Sequence, residues 1–302
     1  MNTPGDCAGR TRPHCAYNGR MSQEEARDIL AEWRESAPYW EKHAETIREM
    51  FAPITCALIG HASVSDGMSV LDVAGGIGDP SLAIAEVVGA AGSVVCTDGV
   101  FEMVEAARRE SRARNLSGLE VCQCLADSLP FANGSFDVAV SRLGAMFFPD
   151  TAVALSEMLR VVAPGGHVSL AVWGDKEFNP FFRVVTRVMS GYVESPPDDA
   201  DAPGAFRFAE PGKLARLLAE AGAVHIEESC LGFRIQATLS PTEFWHARAE
   251  MSDTLRHKLS LLTAEQIIQV AAEVEEAARE FFPNNRMDFP GQVLIVTGSK
   301  PP

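Results

Sequence analysis

Short apolar runs separated by stretches of helical periodicity dominate the middle of the chain. The first two runs are Ser69–Val73 and Ser93–Asp98, and a third precedes Leu125. A fourth spans 135–141, and a fifth follows a Pro-Gly-Gly turn at 164–166. Strand and helix patterns that alternate in this way predict an α/β fold with a parallel sheet and helices on both faces. Because ligands of such sheets bind outside the carboxyl ends of the strands, we expect the functional residues there.

The stretch after the first strand combines glycines with acidic residues. Gly75, Gly76 and Gly78 allow the backbone to turn sharply and to approach a ligand without an intervening Cβ. Asp79 is a suitable N-cap and Pro80 suits the first helical position, so a helix is expected to begin there with free N–H groups over the turn. A tight strand-to-helix turn without any ligand is the alternative interpretation.

Asp98 ends the second strand about 20 residues after Gly78, the separation at which a βαβ unit places a carboxylate on ribose hydroxyls. A carboxylate accepts two hydrogen bonds from a vicinal diol, which suits an adenosine cofactor. The alternative role for Asp98 is a helix N-cap before 100–103.

The two common cofactors of such a unit differ in charge. A nicotinamide dinucleotide requires the pattern G-x-G-x-x-G/A, whereas 76–81 ends in Ser81 and places Asp79 beside a pyrophosphate of the same sign. S-adenosylmethionine carries a sulfonium and an ammonium, which Asp72 and Asp79 match by charge. The sequence therefore favours S-adenosylmethionine.

Three further motifs follow in order: LADSLPF at 125–131, SFDVAVS at 135–141 and MLRVVAPGGHVSL at 158–170. With the glycine turn, this series resembles the class I S-adenosylmethionine-dependent methyltransferases, and within them the small-molecule methylases related to the ubiquinone/menaquinone C-methylases. The resemblance covers roughly 70–173, with a weaker similarity at 293–297. It implies a Rossmann-like, mostly parallel seven-stranded sheet with helices on both faces, plus N-terminal and C-terminal helical lid elements.

The resemblance also implies a set of cofactor-binding residues. Asp72 and the glycine turn match the segment around the methionine part of the cofactor, and Asp98 matches the ribose-binding acid. Asp127 and the alanine before it match the pair beside the adenine, while Ser141 matches the strand-end position under the sulfonium. Ala74 stands where many relatives have glycine. The predicted set is Asp72, Ala74, Gly75, Gly76, Ile77, Gly78, Asp98, Ala126, Asp127 and Ser141, and no metal site is predicted.

The N-terminal part divides into two segments. Residues 1–20 are polar and aperiodic and are predicted to be disordered, with His14 and Cys15 as weak metal-binding candidates. Residues 21–66 begin with a capping box at 22–25 and carry an apolar, aromatic face. That face predicts lid helices over the cofactor, and plain packing on the core is the alternative. The aromatic residues expected to wall an apolar substrate pocket are Trp33, Tyr39 and Trp40.

The remaining boundaries follow from breaks in the strand–helix rhythm. The cofactor-binding core spans 67–174, and 175–208 is too long for an ordinary connection, so it is predicted to be a pocket or lid insertion. The C-terminal part of the core spans 209–302. A helical insertion at about 241–282 precedes the last strand there, and it is expected to roof the site or to serve stability or a dimer contact.

Methyl transfer from a sulfonium is an in-line displacement, so the protein mainly supplies alignment and exclusion of water. A base is needed only where the acceptor must lose a proton. The candidates are His43, Tyr39 and His246, and His43 is preferred because it follows Tyr39 by about one helical turn. Arg142, after the fourth strand motif, is a candidate for contact with substrate or cofactor, or for a structural ion pair. The predicted catalytic residues are His43, Tyr39 and Arg142.

Composition and charge narrow the choice of partner. The 302 residues are 46% hydrophobic and 22% charged, as in globular chains, and the net charge of −15 argues against nucleic acid or an anionic membrane surface. There is no apolar run long enough for a bilayer and no signal-peptide pattern, so a cytoplasmic location and no integral membrane segment are expected. The seven cysteines form no CxxC pair, which favours buried thiols. A homodimer stays open.

These observations predict a methyltransferase that uses S-adenosylmethionine and modifies oxygen or carbon of a small, largely apolar acceptor of aromatic, quinol-like or prenylated type. Three alternatives stay open. They are the same fold catalysing a non-methyl reaction such as a cyclisation, a nicotinamide-dependent oxidoreductase, and a non-catalytic binding module.

Overall fold

The computed structural model describes residues 23–194 and 199–302. The predictions for 1–20 and for the Ser22 capping residue lie outside the described residues. The chain enters the fold through α1 (Gln23–Lys42) and α2 (Ala44–His61). Helix α2 buries residues spaced three and four apart, as an amphipathic helix does when one face packs on a core. These buried residues are Ile47, Met50, Phe51, Ile54, Thr55 and Leu58.

A seven-stranded sheet forms the centre, in the order β3-β2-β1-β4-β5-β7-β6. The first five strands pair in parallel, whereas β7 runs antiparallel to both of its neighbours. The predicted α/β class with a mostly parallel seven-stranded sheet is confirmed. From β1 the chain first builds outward to β3 and then returns to add β4 on the other side, so a crevice is expected between the carboxyl ends of β1 and β4. The strands are β1 (Ser69–Val73), β2 (Ser93–Asp98), β3 (Leu119–Gln123), β4 (Phe136–Arg142), β5 (Val162–Trp173), β6 (Val224–Ala237) and β7 (Met287–Ser299).

Helices follow the strands of the core and cover the sheet. They are α3 (Asp79–Val88), α4 (Phe101–Ala113), α5 (Thr151–Val161), α6 (Pro180–Met189) and α7 (Lys213–Glu220). Within the described ranges, no helix combines the length and the apolar character needed to cross a membrane.

The last two strands are longer than the sequence predicts. The expected segments were 225–228 and 293–297, but β6 and β7 continue their antiparallel pairing as far as Ala237 opposite Met287. Along this extension β6 alternates between more and less exposed residues, and Arg234 forms an ion pair with Asp288 at 2.7 Å. Because one face of the hairpin stays in solvent, only every second residue is apolar, and the apolar density that marks the buried strands is missing.

The segment predicted to be helical at about 241–282 forms three helices. They are α8 (Pro241–Met251), α9 (Asp253–Ser260) and α10 (Ala264–Ala278). Helix α8 meets α1, where the indole Nε1 of Trp40 donates to the carbonyl oxygen of Met251 at 3.2 Å and Lys42 pairs with Glu250 at 2.7 Å. The N-terminal and C-terminal helices therefore contact each other.

Candidate functional site

The turn after β1 has a backbone that most residues avoid. Gly76 and Gly78 have φ values of +58° and +92°, in the left-handed region that favours glycine. Ala74 shares this conformation at φ +56°, although its Cβ makes it costly by about 1–2 kcal/mol. A Cβ on Gly75 would lie only 2.6 Å from Oδ2 of Asp72. The turn is therefore tightly constrained, and one non-glycine residue in it is strained.

Helix α3 begins one residue earlier than the sequence predicts. Gly78 is its N-cap, because its left-handed backbone makes the entry to the helix, and Asp79 is the first helical residue; the prediction that Asp79 caps this helix is wrong. The Asp79 carboxylate forms ion pairs with Nη1 of Arg142 and, at 3.2 Å, with Nε of Arg48. Its charge is thus compensated inside the protein, which removes Asp79 from the argument for a cationic ligand.

Arg142 ends β4 at the carboxyl edge of the sheet. Asp79 and Arg142 are 5% and 6% exposed, and Nη1 of Arg142 also donates to Oγ1 of Thr55 at 2.7 Å. The guanidinium lies 5.8 Å from the centre of the Phe51 ring. Arg142 therefore is a structural ion-pair partner, and it also forms part of a cavity wall described below.

Asp98 sits between the glycine turn and α4. Its Oδ2 accepts a hydrogen bond from the Gly76 N–H at 3.0 Å, and its Oδ1 accepts from the Val100 N–H at 2.9 Å. The N-cap of α4 is Val100, so the alternative role of Asp98 as N-cap is wrong. Burial raises the pKa of Asp98 to about 6, against the lowering effect of these N–H donors. Each oxygen keeps a lone pair, so the carboxylate can still accept from a diol.

Two polar side chains lie buried behind the turn with unused hydrogen-bonding capacity. The Ser81 hydroxyl donates to Oδ2 of Asp72 at 2.6 Å, while Oδ1 of Asp72 has no partner among the described residues. Burial raises the pKa of Asp72 to about 6. The hydroxyl of Ser141 is also buried and without a partner in the described part of the chain.

A cavity of about 210 Å³ opens at this edge of the sheet, and we call it the edge cavity. A Cβ on Gly76 would meet no protein atom within 4 Å, so the space beside that residue is open. The predicted cofactor residues in its wall are Ala74, Gly75, Gly76, Ile77, Asp98, Ala126 and Asp127. The wall does not contain Asp72, Gly78 or Ser141.

A second cavity of about 390 Å³ adjoins the first, and we call it the aromatic cavity. Its rings pack edge to face, with centroids 4.9 Å apart for Trp173 and Phe182. Leu143, which is in both walls, has φ +60°, a second strained position at the site. The residues shared by both cavities are Ile29, Trp33, Trp40, Ile47, Phe51, Leu143 and Phe147. The two cavities therefore form neighbouring compartments with a common wall.

The candidate bases do not join these residues. Nε2 of His43 contacts Oε2 of Glu250 at 2.6 Å, the Tyr39 ring packs under the guanidinium of Arg256 at 5.2 Å, and His246 is exposed on α8. Among the described residues, neither wall contains a histidine or a tyrosine. Tyr39, expected in the pocket wall, is not part of it, because it points from a different face of α1 than its neighbours Trp33 and Trp40.

One charged residue of the aromatic cavity escaped the sequence analysis. Arg248 follows Phe244 by four residues and precedes Met251 by three, and both of these are buried, so Arg248 lies on the buried side of α8. The guanidinium lies 4.7 Å from the Phe181 ring centre and 5.0 Å from that of Phe182. This helical spacing was the signal available in the sequence; His246, which was considered instead, lies on the exposed face.

Comparisons with known proteins agree with this architecture. Residues 71–170 match a family model described as a methyltransferase domain. An uncharacterised protein of Mycobacterium tuberculosis is 34% identical over 131 residues, which cover 43% of this chain and 46% of that protein. The ubiquinone/menaquinone biosynthesis C-methyltransferase of Haemophilus ducreyi is 36% identical over 120 residues, covering 39% of this chain and 46% of the enzyme. The matched region thus spans about half the length of these curated relatives.

A solved structure shares the fold over a longer stretch. The crystal structure of a putative methyltransferase from Bacillus halodurans superposes with a TM-score of 0.55 and 22% identity, covering 82% of this chain and 99% of that chain. At this identity the likeness concerns the fold alone.

Proposed function

We propose that this chain, whose core belongs to the class I S-adenosylmethionine-dependent methyltransferases, transfers a methyl group to a small, largely apolar acceptor with an aromatic, quinol-like or prenylated part. The observation that carries the proposal is the pair of adjoining cavities, one lined by the family's cofactor motifs and one by aromatic side chains. Binding two reactants in neighbouring compartments is the arrangement that a group transfer requires.

The edge cavity fits the cofactor. Asp98 offers free lone pairs beside an open backbone turn, and Asp127 lies in the same wall. Buried behind the turn, Oδ1 of Asp72 and the hydroxyl of Ser141 have no hydrogen-bond partner within the described ranges, so the site holds polar atoms in reserve. When bound, S-adenosylmethionine supplies a methyl group already activated by the sulfonium. Asp98 would hold the ribose hydroxyls, and Asp127 the exocyclic amine of the adenine.

Arg142 completes the polar part of the wall. Its ion pair with Asp79 and its hydrogen bond to Thr55 hold the guanidinium in one place, while Nε has no partner in the described part of the chain. A guanidinium fixed in this way is suited to a carboxylate, and the carboxylate of the methionine part is the candidate. In this role Arg142 binds and orients, and it transfers no proton.

The aromatic cavity supplies alignment and exclusion of water for the acceptor. Trp33, Phe51 and Phe147 separate it from the edge cavity, so an acceptor against this wall would point its reacting atom toward the methyl group. With no histidine or tyrosine among the described lining residues, the acceptor that fits best is one whose nucleophilic atom needs no base from the protein. Oxygen and carbon both stay open as the target.

Titration calorimetry with S-adenosylmethionine, S-adenosylhomocysteine and the nicotinamide dinucleotides tests the first half of the proposal. We expect the first two to bind and the dinucleotides not to bind. Asp98→Ala should weaken cofactor binding by about 1.5–3 kcal/mol, the contribution of charge-assisted hydrogen bonds. Asp137→Ala is the matched control, since Asp137 is exposed at the opposite end of its strand and accepts only from the Ser69 N–H at 2.8 Å.

Transfer of a labelled methyl group to a panel of phenols, quinols and prenylated rings tests the second half. Appearance of S-adenosylhomocysteine together with labelled acceptor would support methyl transfer. Cofactor binding with conversion of an acceptor but without label in the product would replace this proposal by a non-methyl reaction. Binding of a dinucleotide alone would overturn the role given to the glycine turn.

A further inference from the structure

A single cation without a counter-ion lies in the wall of the aromatic cavity. The guanidinium of Arg248 forms no ion pair and no hydrogen bond with another described residue, and its Nε is fully buried. Its neighbours are the rings of Phe181 and Phe182, at 4.7 and 5.0 Å. An uncompensated charge among apolar groups is costly, because no hydrogen bonds replace those to water. Such a charge is most simply explained by a ligand that brings the missing partner.

The other charged residues of the same wall do not compensate it. Glu32 is exposed at the solvent side of the cavity, and Asp253 is paired with Arg256 at 3.2 Å. Lys258 has an interaction partner of its own. Within the described ranges, Arg248 is therefore the buried lining residue with an unmatched charge.

We propose that Arg248 binds a carboxylate carried by an otherwise apolar, aromatic acceptor. The planar guanidinium presents parallel N–H donors that match the two oxygens of a carboxylate, and one such group balances one negative charge. The surrounding rings, among them Trp173, Phe181 and Phe182, offer edge and face contacts to an aromatic skeleton. This inference rests on the proposed function, and it narrows the acceptor to an aromatic acid.

The position of Arg248 also orients the acceptor. Arg248 and the two phenylalanines beneath it line the aromatic cavity but not the edge cavity, whereas Phe51 and Phe147 line both. A carboxylate bound by Arg248 therefore lies away from the common wall, and the opposite end of the acceptor faces the methyl donor. In this arrangement Arg248 determines specificity and takes no part in the transfer itself.

Two probes of the same shape, 2-naphthoate and 2-naphthamide, test the inference on the full chain loaded with S-adenosylhomocysteine. Binding can be followed by the fluorescence of Trp33, Trp40 and Trp173, which line the cavity. We expect the acid to bind wild type more tightly than the amide. Arg248→Met should weaken the acid by about 10- to 100-fold and leave the amide unchanged, as for a lost charge-assisted hydrogen bond.

Two control variants accompany the experiment. Arg248→Lys retains the charge without the fork and should restore part of the affinity for the acid. Arg183→Met changes an exposed arginine on the helix that carries Phe181 and Phe182, and it should leave both probes unaffected.

Equal affinity of the acid and the amide for wild type, or an equal loss of both in Arg248→Met, overturns the inference. Failure of the proposed function would look different. S-adenosylmethionine would then not bind wild type in a calorimetric titration, whereas a defect confined to Arg248 leaves cofactor affinity intact. The preference for the acid can be measured without cofactor, so the two outcomes are separable.

Discussion

Replacement of Arg248 by methionine is expected to stabilise the ligand-free protein. Burial lowers the pKa of the Arg248 guanidinium to about 10 from its usual 12.5, because the charged form loses its hydration. The unfolded chain therefore holds this proton more tightly than the folded chain does. At neutral pH the charge lowers the free energy of unfolding by about 3 kcal/mol, a penalty that would be relieved only as the pH rises toward the range from 10 to 12.5.

Lost contacts offset part of this gain. The guanidinium stands over the rings of Phe181 and Phe182, and each cation–π contact contributes roughly 0.5–2 kcal/mol. Methionine keeps most of the length and the apolar contacts of the arginine stem. We therefore expect Arg248→Met to raise the free energy of unfolding by about 1 kcal/mol, which corresponds to about 2–4 °C in Tm for a chain of this size.

Thermal unfolding at pH 7 without ligand measures this difference, with Arg183→Met as the reference for removal of a surface arginine. Arg183 is exposed and pairs with Glu177 at 2.6 Å, so its loss should change Tm little. A fall of several degrees in Arg248→Met alone would show that the arginine stabilises the free protein, and the reasoning from an uncompensated charge would then be refuted.

Further predictions concern the glycine turn and the acids around it. Affinity for S-adenosylmethionine, titrated calorimetrically between pH 5 and 8, should be constant above the Asp98 pKa of about 6 and fall up to tenfold per pH unit below it, because the protonated acid is a poorer acceptor; a flat profile to pH 5 would contradict this. Asp72→Asn should gain stability over wild type between pH 5 and pH 7, since a folded-state pKa of about 6 makes the wild-type carboxylate increasingly destabilising as the pH rises; urea unfolding at both pH values measures it. Gly75→Ala should lose more than about 2 kcal/mol in the same assay, as its Cβ would collide with Asp72. Ala74→Gly should be neutral or stabilising by up to about 1 kcal/mol, and a loss of that size would mean that Ala74 is not strained.

The parts of the fold that the sequence predicts correctly depend on local signals. The buried parallel strands are short dense apolar runs, so the bounds of β1 and β2 agree with the structure residue for residue. The glycine turn and Asp98 are joined by one strand–helix–strand unit, and their proximity follows from its length. The β6–β7 extension lacks these signals because one face is exposed, and its length depends on pairing between two distant segments.

The charge relations of the site depend on distant residues and could not be predicted. Asp79 looks like a free acid in the sequence, but Arg48 on α2 and Arg142 on β4 approach it from either side. His43 has the residue type of a base, yet Glu250, more than two hundred positions away, engages its imidazole. Periodicity specifies which face of a helix is buried, but it does not specify which side chain of another segment will lie opposite.

Taken together, the two cavities have complementary charges for the two reactants. The edge cavity has the carboxylates of Asp98 and Asp127 in its wall, whereas the buried uncompensated charge of the aromatic cavity is the cation of Arg248. In the proposed complex, a cationic cofactor and an anionic aromatic acid each lie beside charges of opposite sign. Reversing the acceptor would leave Arg248 unpaired and bring a second anion toward the acids of the edge cavity, both of which cost free energy. The charges would therefore fix which end of the acceptor meets the methyl group, a task that the apolar rings alone cannot perform because their contacts are not directional.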